Sequence, residues 1–188
     1  MTALVLAPGA SASRDHPSLV SIDDAVRAAP GLSGIVVERI DLPKGKAERA
    51  VPVVVAAAAA LASAPASDGR VFLGGRSFGG RVCSMAVAAG EVPSAAGLVL
   101  ISYPLHPPGK PAQLRTEHFP SLRVPCLFVS GSRDAFVGAD PARLEDATAL
   151  IPGEVTHVWI EGGDHGLRRK DAEVAAAVVD WLTGFVPR

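Results

Sequence analysis

Short apolar segments that alternate with longer segments of helical periodicity constrain the fold of this chain more than any other feature. The apolar segments predict buried strands at Thr2–Ala7, Ile35–Ile40, Val71–Gly74, Gly97–Ser102, Val124–Ser130 and Val155–Ile160. The periodic segments predict helices at Glu48–Ser63, Ser77–Ala89, Pro141–Leu150 and Lys170–Phe185. Strands that are apolar on both faces and alternate with helices are typical of a mainly parallel sheet with helices on both of its faces. We therefore expect an α/β fold with a sheet of about six strands.

Two of the predicted helices carry further signals. The helix predicted at Glu48–Ser63 would start near Pro52 if that proline takes the first turn, the position that proline favours in a helix. The last has one apolar stripe at helical spacing, formed by Val174, Val178, Trp181, Leu182 and Phe185. The long segment from Tyr103 to Arg123 is rich in proline and is predicted to be irregular, and the sequence leaves its role open.

Composition and charge exclude several classes of protein. The chain has 188 residues, which we assign to one domain spanning 1–188. Its 18 Lys and Arg residues against 19 Asp and Glu give a net charge of -1, and hence no basic field for nucleic acid or for an anionic membrane. We expect a monomer or homodimer that acts on a small-molecule substrate and needs no cofactor or metal.

The location is predicted from two segments. Residues Met1–Gly9 have no basic segment and reach a Pro-Gly turn at once, so we predict a strand there and no secretory signal. The most apolar stretch, Ala50–Ala66, is mostly alanine and has prolines near its ends, so it predicts a buried helix and no membrane span. Two cysteines, Cys83 and Cys126, are too few for a disulfide framework. We therefore expect a cytoplasmic protein.

A Gly-x-Ser-x-Gly motif, Gly75-Arg76-Ser77-Phe78-Gly79, lies between a predicted strand and a predicted helix. In that context the motif forms a nucleophile elbow, a turn so tight that the neighbours of the serine must be small. The serine then projects above the sheet at a helix N-terminus, where the dipole favours negative charge. Ser77 is therefore predicted to be a nucleophile.

A serine nucleophile needs a base, and histidine is the natural one at neutral pH. His165 follows the strand Val155–Ile160, at the sheet edge where ligands bind in parallel folds. The other histidines have weaker support, because one lies inside a predicted strand and three lie near proline-rich turns: His157, His16, His106 and His118. We assign the base to His165.

The base in turn needs an acid that orients its ring. Asp134 follows the strand Val124–Ser130 through Gly-Ser-Arg, at the same sheet edge, while Asp140 and Asp164 are rival acids.

Acyl transfer also needs an oxyanion hole. In a fold with this elbow, one N–H comes from the residue after the nucleophile, Phe78, and we assign the other to Ala10 in the loop after the first strand.

These motifs resemble those of the α/β-hydrolases, and more closely those of small lid-less bacterial members related to dienelactone hydrolases and to KANSL-type eukaryotic homologues. The matching segments cover nearly the whole chain: Leu4–Ala10, Leu73–Arg81, Gly131–Asp134 and Gly163–His165. The chain order Ser, Asp, His is also the order found in that fold. The resemblance implies a minimal α/β-hydrolase fold that begins at the usual third strand, has no cap domain and has an open, shallow site.

Two departures limit what the resemblance implies. Related proteins often have His-Gly in the first loop, where this chain has Pro8-Gly9, so the oxyanion hole could differ in shape. Dienelactone hydrolases use a cysteine nucleophile, and this chain has Ser77, so their activity is not implied. The expected function is a serine hydrolase of esterase or thioesterase type that works through an acyl-enzyme. A non-catalytic binding or scaffold protein and an acyltransferase are the alternatives.

The remaining polar residues near the motifs have structural interpretations as well as functional ones. Arg76 could bind a substrate carboxylate or pair with a structural acid, and the same holds for Arg133 beside Asp134. Cys83 is predicted to be a small core residue. The cluster Glu161, Asp164 and His165 matches no zinc spacing.

Overall fold

Six short strands form one parallel sheet in the computed structural model, which describes residues 1–138, 140 and 142–185. The strands are β1 (Thr2–Ala7), β2 (Ile35–Arg39), β3 (Val71–Arg76), β4 (Ala95–Ile101), β5 (Cys126–Gly131) and β6 (Val155–Ile160). The helices are α1 (Pro17–Ala28), α2 (Ala47–Ala62), α3 (Phe78–Ala88), α4 (Ala142–Thr148) and α5 (Asp171–Thr183). The strand order is β2-β1-β3-β4-β5-β6, and every neighbouring pair is parallel. The predicted α/β fold with a sheet of six strands is confirmed.

The central strands are apolar on both faces because the sheet has a hydrophobic core on each side. In β1, Val5 and Ala7 face one core, while Leu4 and Leu6 face the other. Helices α2, α3 and α4 cover the first core, and α1 and α5 cover the second. At the sheet edge, β2 alternates buried and exposed residues, as expected for a strand with one buried face.

Helix α1 was not predicted from the sequence. Its apolar residues Leu19, Ile22 and Val26 have helical spacing and are fully buried in the second core. Pro17 occupies the first turn, and the His16 ring nitrogen Nδ1 accepts a hydrogen bond from the Ser18 N–H, 3.3 Å away. These signals could have identified the helix, but no Ser, Thr, Asp or Asn stands at its N-cap to mark the start.

The predicted range of α2, Glu48–Ser63, agrees with the structure to within one residue, but the start near Pro52 was wrong. The helix begins at Ala47, and Pro52 lies inside it. Proline removes the backbone donor for the carbonyl of Glu48, four residues earlier. Both residues are exposed, so that carbonyl faces solvent and the helix tolerates the proline. Most other predicted ends agree to within one or two residues, but the predicted start of α4 at Pro141 lies outside the described residues.

The stripe predicted for α5 faces the sheet. Val174, Val178 and Leu182 are fully buried there. Trp181 packs edge-on against Phe72 of β3, with ring centroids 5.8 Å apart. Among the described residues, no helix has both the length and the apolarity that a membrane crossing requires.

The segment after β4 is irregular, as predicted, apart from one 3-10 turn at Phe119–Ser121. It is nevertheless well anchored, because Tyr103 and Phe119 are fully buried and their ring centroids lie 5.4 Å apart. It contains no helical insertion of the kind that forms a cap domain. The segment therefore lies over the carboxyl edge of the sheet without covering it as a lid.

Candidate active site

The turn from β3 to α3 raises Ser77 above the carboxyl edge of the sheet. Ser77 has φ 50° and ψ -110°, a backbone conformation that residues with a side chain rarely adopt. The residues two positions before and after Ser77 must be glycine. A Cβ at Gly75 would lie 2.2 Å, and one at Gly79 2.3 Å, from the carbonyl oxygen of Ala7. The motif thus brings the nucleophile turn into direct backbone contact with β1.

Hydrogen bonds hold this strained turn in place. The Ser77 N–H donates to the carbonyl of Ile101 in β4 at 2.7 Å. The Ser77 carbonyl in turn accepts from the Arg81 N–H of α3 at 3.1 Å. Because both backbone groups are paired, the orientation of the side chain is set by the sheet and the helix together.

The side chains of Ser77, His165 and Asp134 form one continuous hydrogen-bonded chain. The His165 Nε2 atom lies 2.9 Å from the Ser77 Oγ atom. The His165 Nδ1 atom lies 3.0 Å and 2.8 Å from the two carboxylate oxygens of Asp134. Since an ionised carboxylate can only accept, Nδ1 carries the proton and Nε2 is left to accept from the serine hydroxyl. This tautomer is the one a general base needs.

Asp134 is buried and its orientation is set by the backbone. It is 1% exposed, and its Oδ1 atom accepts a hydrogen bond from the Phe136 N–H at 2.8 Å. The Phe136 ring also lies against the His165 imidazole, with centroids 4.2 Å apart. The short turn after β5 therefore positions both the acid and the aromatic ring that packs against the base.

The loops after β5 and β6 touch through backbone atoms. The Arg133 N–H donates to the carbonyl of Gly163 at 2.8 Å. A Cβ at Gly131 would lie 2.2 Å from that same carbonyl oxygen, so the close approach requires glycine. This contact fixes the loop that carries His165 against the loop that carries Asp134.

Arg76 holds the His165 loop from the other side. Its Nη2 atom donates to the backbone carbonyl of His165 at 2.8 Å. Burial lowers the pKa of Arg76, and the nearby charges of Asp134 and Asp164 oppose that shift. This positioning contact is neither of the two interpretations offered by the sequence, because its acceptor is a backbone carbonyl and, among the described residues, Arg76 has no carboxylate within ion-pair distance. Sequence reasoning could not have found it, because the partner is a backbone atom on a distant loop.

The rival acids and histidines are not brought to this site as partners of the triad. Asp140 accepts from the Ala142 N–H at 2.9 Å, and Asp164 makes no hydrogen bond to His165 among the described residues. His118 pairs with Ser84, and His157 pairs with Thr148, each at 2.8 Å. Of the other histidines, His16 caps α1 and borders the recess beside His165, while His106 contacts the Pro107 carbonyl.

The two N–H groups predicted for the oxyanion hole lie beside the nucleophile. Ala10 and Phe78 both border the same cleft as Ser77. Among the hydrogen bonds of the described residues, neither N–H has an acceptor. Phe78 begins α3, so its N–H is one of the four that a helix leaves free at its N-terminus. Both groups are therefore available to a ligand.

A cleft of about 710 Å³ opens in front of Ser77. Its walls come from the loop after β1, the start of α2, the first turn of α3, the irregular segment after β4 and Phe136 in the loop after β5. A smaller recess of about 390 Å³ adjoins it at Ser77 and is bordered by His165. Among the described residues, no group of three or more His, Cys, Asp and Glu side chains is arranged to hold a metal ion.

Comparison with known proteins agrees with the fold described above. A family model described as an alpha/beta hydrolase domain matches residues 1–178. The chain is similar in structure to Est1E from Butyrivibrio proteoclasticus, with a TM-score of 0.80 and 13% identity over 97% of this chain and 87% of that one. It is similar to dienelactone hydrolase from Anabaena variabilis, with a TM-score of 0.78 and 18% identity over 98% and 87%. An α/β serine hydrolase without a lid from Xanthomonas campestris has a TM-score of 0.68 and 21% identity over 100% and 83%.

Proposed function

The chain belongs to the alpha/beta hydrolase family, and from that premise we propose that it is a serine hydrolase that cleaves small carboxylic esters or thioesters through an acyl-enzyme. The continuous hydrogen-bonded chain from Asp134 through His165 to Ser77 carries this proposal. Such a chain lets the imidazole take the serine proton as the hydroxyl attacks. The lid-less serine hydrolase among the similar structures supports the same class of reaction.

In the first half of the reaction, the Ser77 Oγ atom attacks the acyl carbon while its proton passes to His165 Nε2. The tetrahedral oxyanion is stabilised by the N–H groups of Ala10 and Phe78. His165 then donates the proton to the leaving oxygen or sulfur, and the acyl group stays on Ser77. The Asp134 carboxylate stabilises the imidazolium formed in between and keeps the ring oriented.

In the second half, water replaces the leaving group. His165 takes a proton from the water, which attacks the acyl-enzyme carbonyl through the same oxyanion hole. The ester bond to Ser77 breaks, and the proton returns to its Oγ atom. The open cleft gives water direct access to this bond.

A fluorophosphonate probe and 4-nitrophenyl acetate together test the proposal. The wild-type protein should be labelled and should release nitrophenol, while Ser77→Ala and His165→Ala should lose labelling and at least about a thousandfold in kcat/KM. Ser33→Ala is a matched control, because Ser33 is exposed and lies outside the cleft.

Loss of activity must be separated from loss of fold, so the far-UV circular dichroism and Tm of each variant are compared with wild type. A folded Ser77→Ala protein that keeps most of the activity would contradict the proposal. A folded wild-type protein that neither binds the probe nor cleaves the ester would also contradict it, and would favour a non-catalytic binding role.

A further inference from the structure

The cleft in front of Ser77 carries an excess of positive charge. Arg81 of α3 and Arg115 of the segment after β4 are half-buried in its walls. Lys46 and Glu48 lie at the start of α2, are both exposed and largely offset each other. The two guanidinium groups therefore set the charge of the inner part of the cleft.

Neither guanidinium has a carboxylate partner within ion-pair distance among the described residues. The Nε atom of Arg81 is buried and has no hydrogen-bond acceptor there. Burial and then the neighbouring charge of Arg81 lower the pKa of Arg115, and Tyr103 and Glu117 oppose that shift without cancelling it. Two like charges in the walls of one cleft, neither of them with a carboxylate partner, repel each other, and an anion bound between the walls would relieve this repulsion.

The backbone around Arg115 is held in place, so its position is a feature of the fold. The buried Tyr103 hydroxyl donates to the Arg115 carbonyl at 2.7 Å. The Arg115 N–H donates to the Leu105 carbonyl at 2.8 Å. Arg81 lies in the first turn of α3, four residues after Ser77, which is the N-cap of that helix. The backbone of Arg81 therefore lies about one helical turn, roughly 5 Å along the axis, from that of the nucleophile.

The position of His165 indicates which part of a substrate reaches these arginines. His165 protonates the leaving group, so that group must lie on its side of Ser77. His165 borders the smaller recess and does not line the larger cleft. The acyl chain then occupies the larger cleft, where Arg81 and Arg115 lie.

We propose that the preferred substrates are esters or thioesters whose acyl chain ends in a carboxylate, which Arg81 and Arg115 bind. This inference rests on the proposed function and specifies its substrate class. Arginine pairs with a carboxylate through two parallel hydrogen bonds.

Two esters of matched chain length test the proposal: mono(4-nitrophenyl) adipate and 4-nitrophenyl hexanoate. They differ in that the terminal methyl of the hexanoate is a carboxylate in the adipate. Wild type should favour the adipate by about tenfold or more in kcat/KM, because a hydrogen-bonded charge in such a site contributes this much. The preference should fall as NaCl is raised.

Arg81→Gln and Arg115→Gln should each lower the adipate-to-hexanoate ratio about tenfold. Arg123→Gln is the matched control, since Arg123 is exposed and outside the cleft, and it should leave both rates unchanged. Two residues on different elements are varied so that misfolding of one variant does not leave the test open. Free adipate should also inhibit hexanoate hydrolysis more strongly than inorganic phosphate does.

Hexanoate cleavage at a rate equal to or above that of the adipate would overturn the inference and leave the serine hydrolase proposal standing. An adipate preference that survives both substitutions, or falls equally in Arg123→Gln, would also overturn it. Stronger inhibition by phosphate than by adipate would exclude a carboxylate as the preferred anion. Cleavage of neither ester, together with no probe labelling, would instead contradict the proposed function and this inference with it.

Discussion

Replacing Asp134 by asparagine should nearly abolish activity without unfolding the protein. The two side chains have almost the same shape, and the Phe136 N–H donates to the Oδ1 atom at 2.8 Å. In the variant, that N–H will hold the amide oxygen at the Oδ1 position, because the amide nitrogen cannot accept a hydrogen bond. The amide NH2 then faces His165, where Oδ2 now lies 2.8 Å from Nδ1.

The consequence is the wrong tautomer of the base. An amide NH2 donates to Nδ1, so the imidazole proton moves to Nε2, which faces the Ser77 hydroxyl 2.9 Å away. A protonated Nε2 cannot take the serine proton. We expect kcat to fall about ten-thousandfold, which is about 5 kcal/mol of transition-state stabilisation. The free energy of unfolding should change by about 1 kcal/mol, since the hydrogen bonds are rearranged and not removed.

The assay is kcat/KM with 4-nitrophenyl acetate at pH 7, together with the rate of fluorophosphonate labelling and a urea unfolding curve. Asp164→Asn is the matched control, because Asp164 adjoins His165 in the chain but makes no hydrogen bond to it among the described residues. The kcat/KM of Asp164→Asn should fall by less than about threefold, because solvent screens the charge of an exposed carboxylate. Asp134→Asn with more than a tenth of wild-type activity would refute this reasoning. An equal loss in Asp164→Asn would refute it too.

Three further predictions concern the fold. Gly75→Ala places a methyl group 2.2 Å from a backbone carbonyl of β1, so it should lower the free energy of unfolding by about 3 kcal/mol or prevent folding. Gly31→Ala is the control, because a Cβ there has nothing within 4 Å, and it should change the free energy of unfolding by less than about 1 kcal/mol. Urea unfolding curves measure both. Burial and a nearby arginine lower the pKa of His118 from 6.5 to about 4, so the unfolded state binds more protons between these values, and stability should fall as pH drops from 6.5 to 4. His118→Gln cannot be protonated, so its urea midpoint should depend less on pH; an equal dependence would contradict the assignment. Burial raises the pKa of Cys83 and Cys126 to about 12, so both thiols should react with a disulfide reagent at pH 8 only after unfolding, and rapid reaction of the native protein would count against their burial.

Much of the fold could be predicted because its signals are local. Each central strand is apolar on both faces, which only a sheet covered on both sides explains. The missed helix α1 has weaker local signals, with three apolar residues at helical spacing and no strong N-cap side chain. The misplaced start of α2 shows that the preference of proline for the first turn yields when the affected carbonyl is exposed to solvent.

The sequence by itself determined the period of the elements other than α1, and it indicated the tight turn at Ser77, since the Gly-x-Ser-x-Gly motif lies within five consecutive residues. It also indicated which strand ends would bring Asp134 and His165 to one edge. The tertiary structure decided which acid contacts the base and that Arg76 holds the His165 loop. It also decided that Arg81 and Arg115 share a cleft and have no ion-pair partner in the part of the chain that the structure describes. These contacts join loops far apart in the chain, and their geometry depends on the register and twist of the whole sheet, which local patterns do not encode.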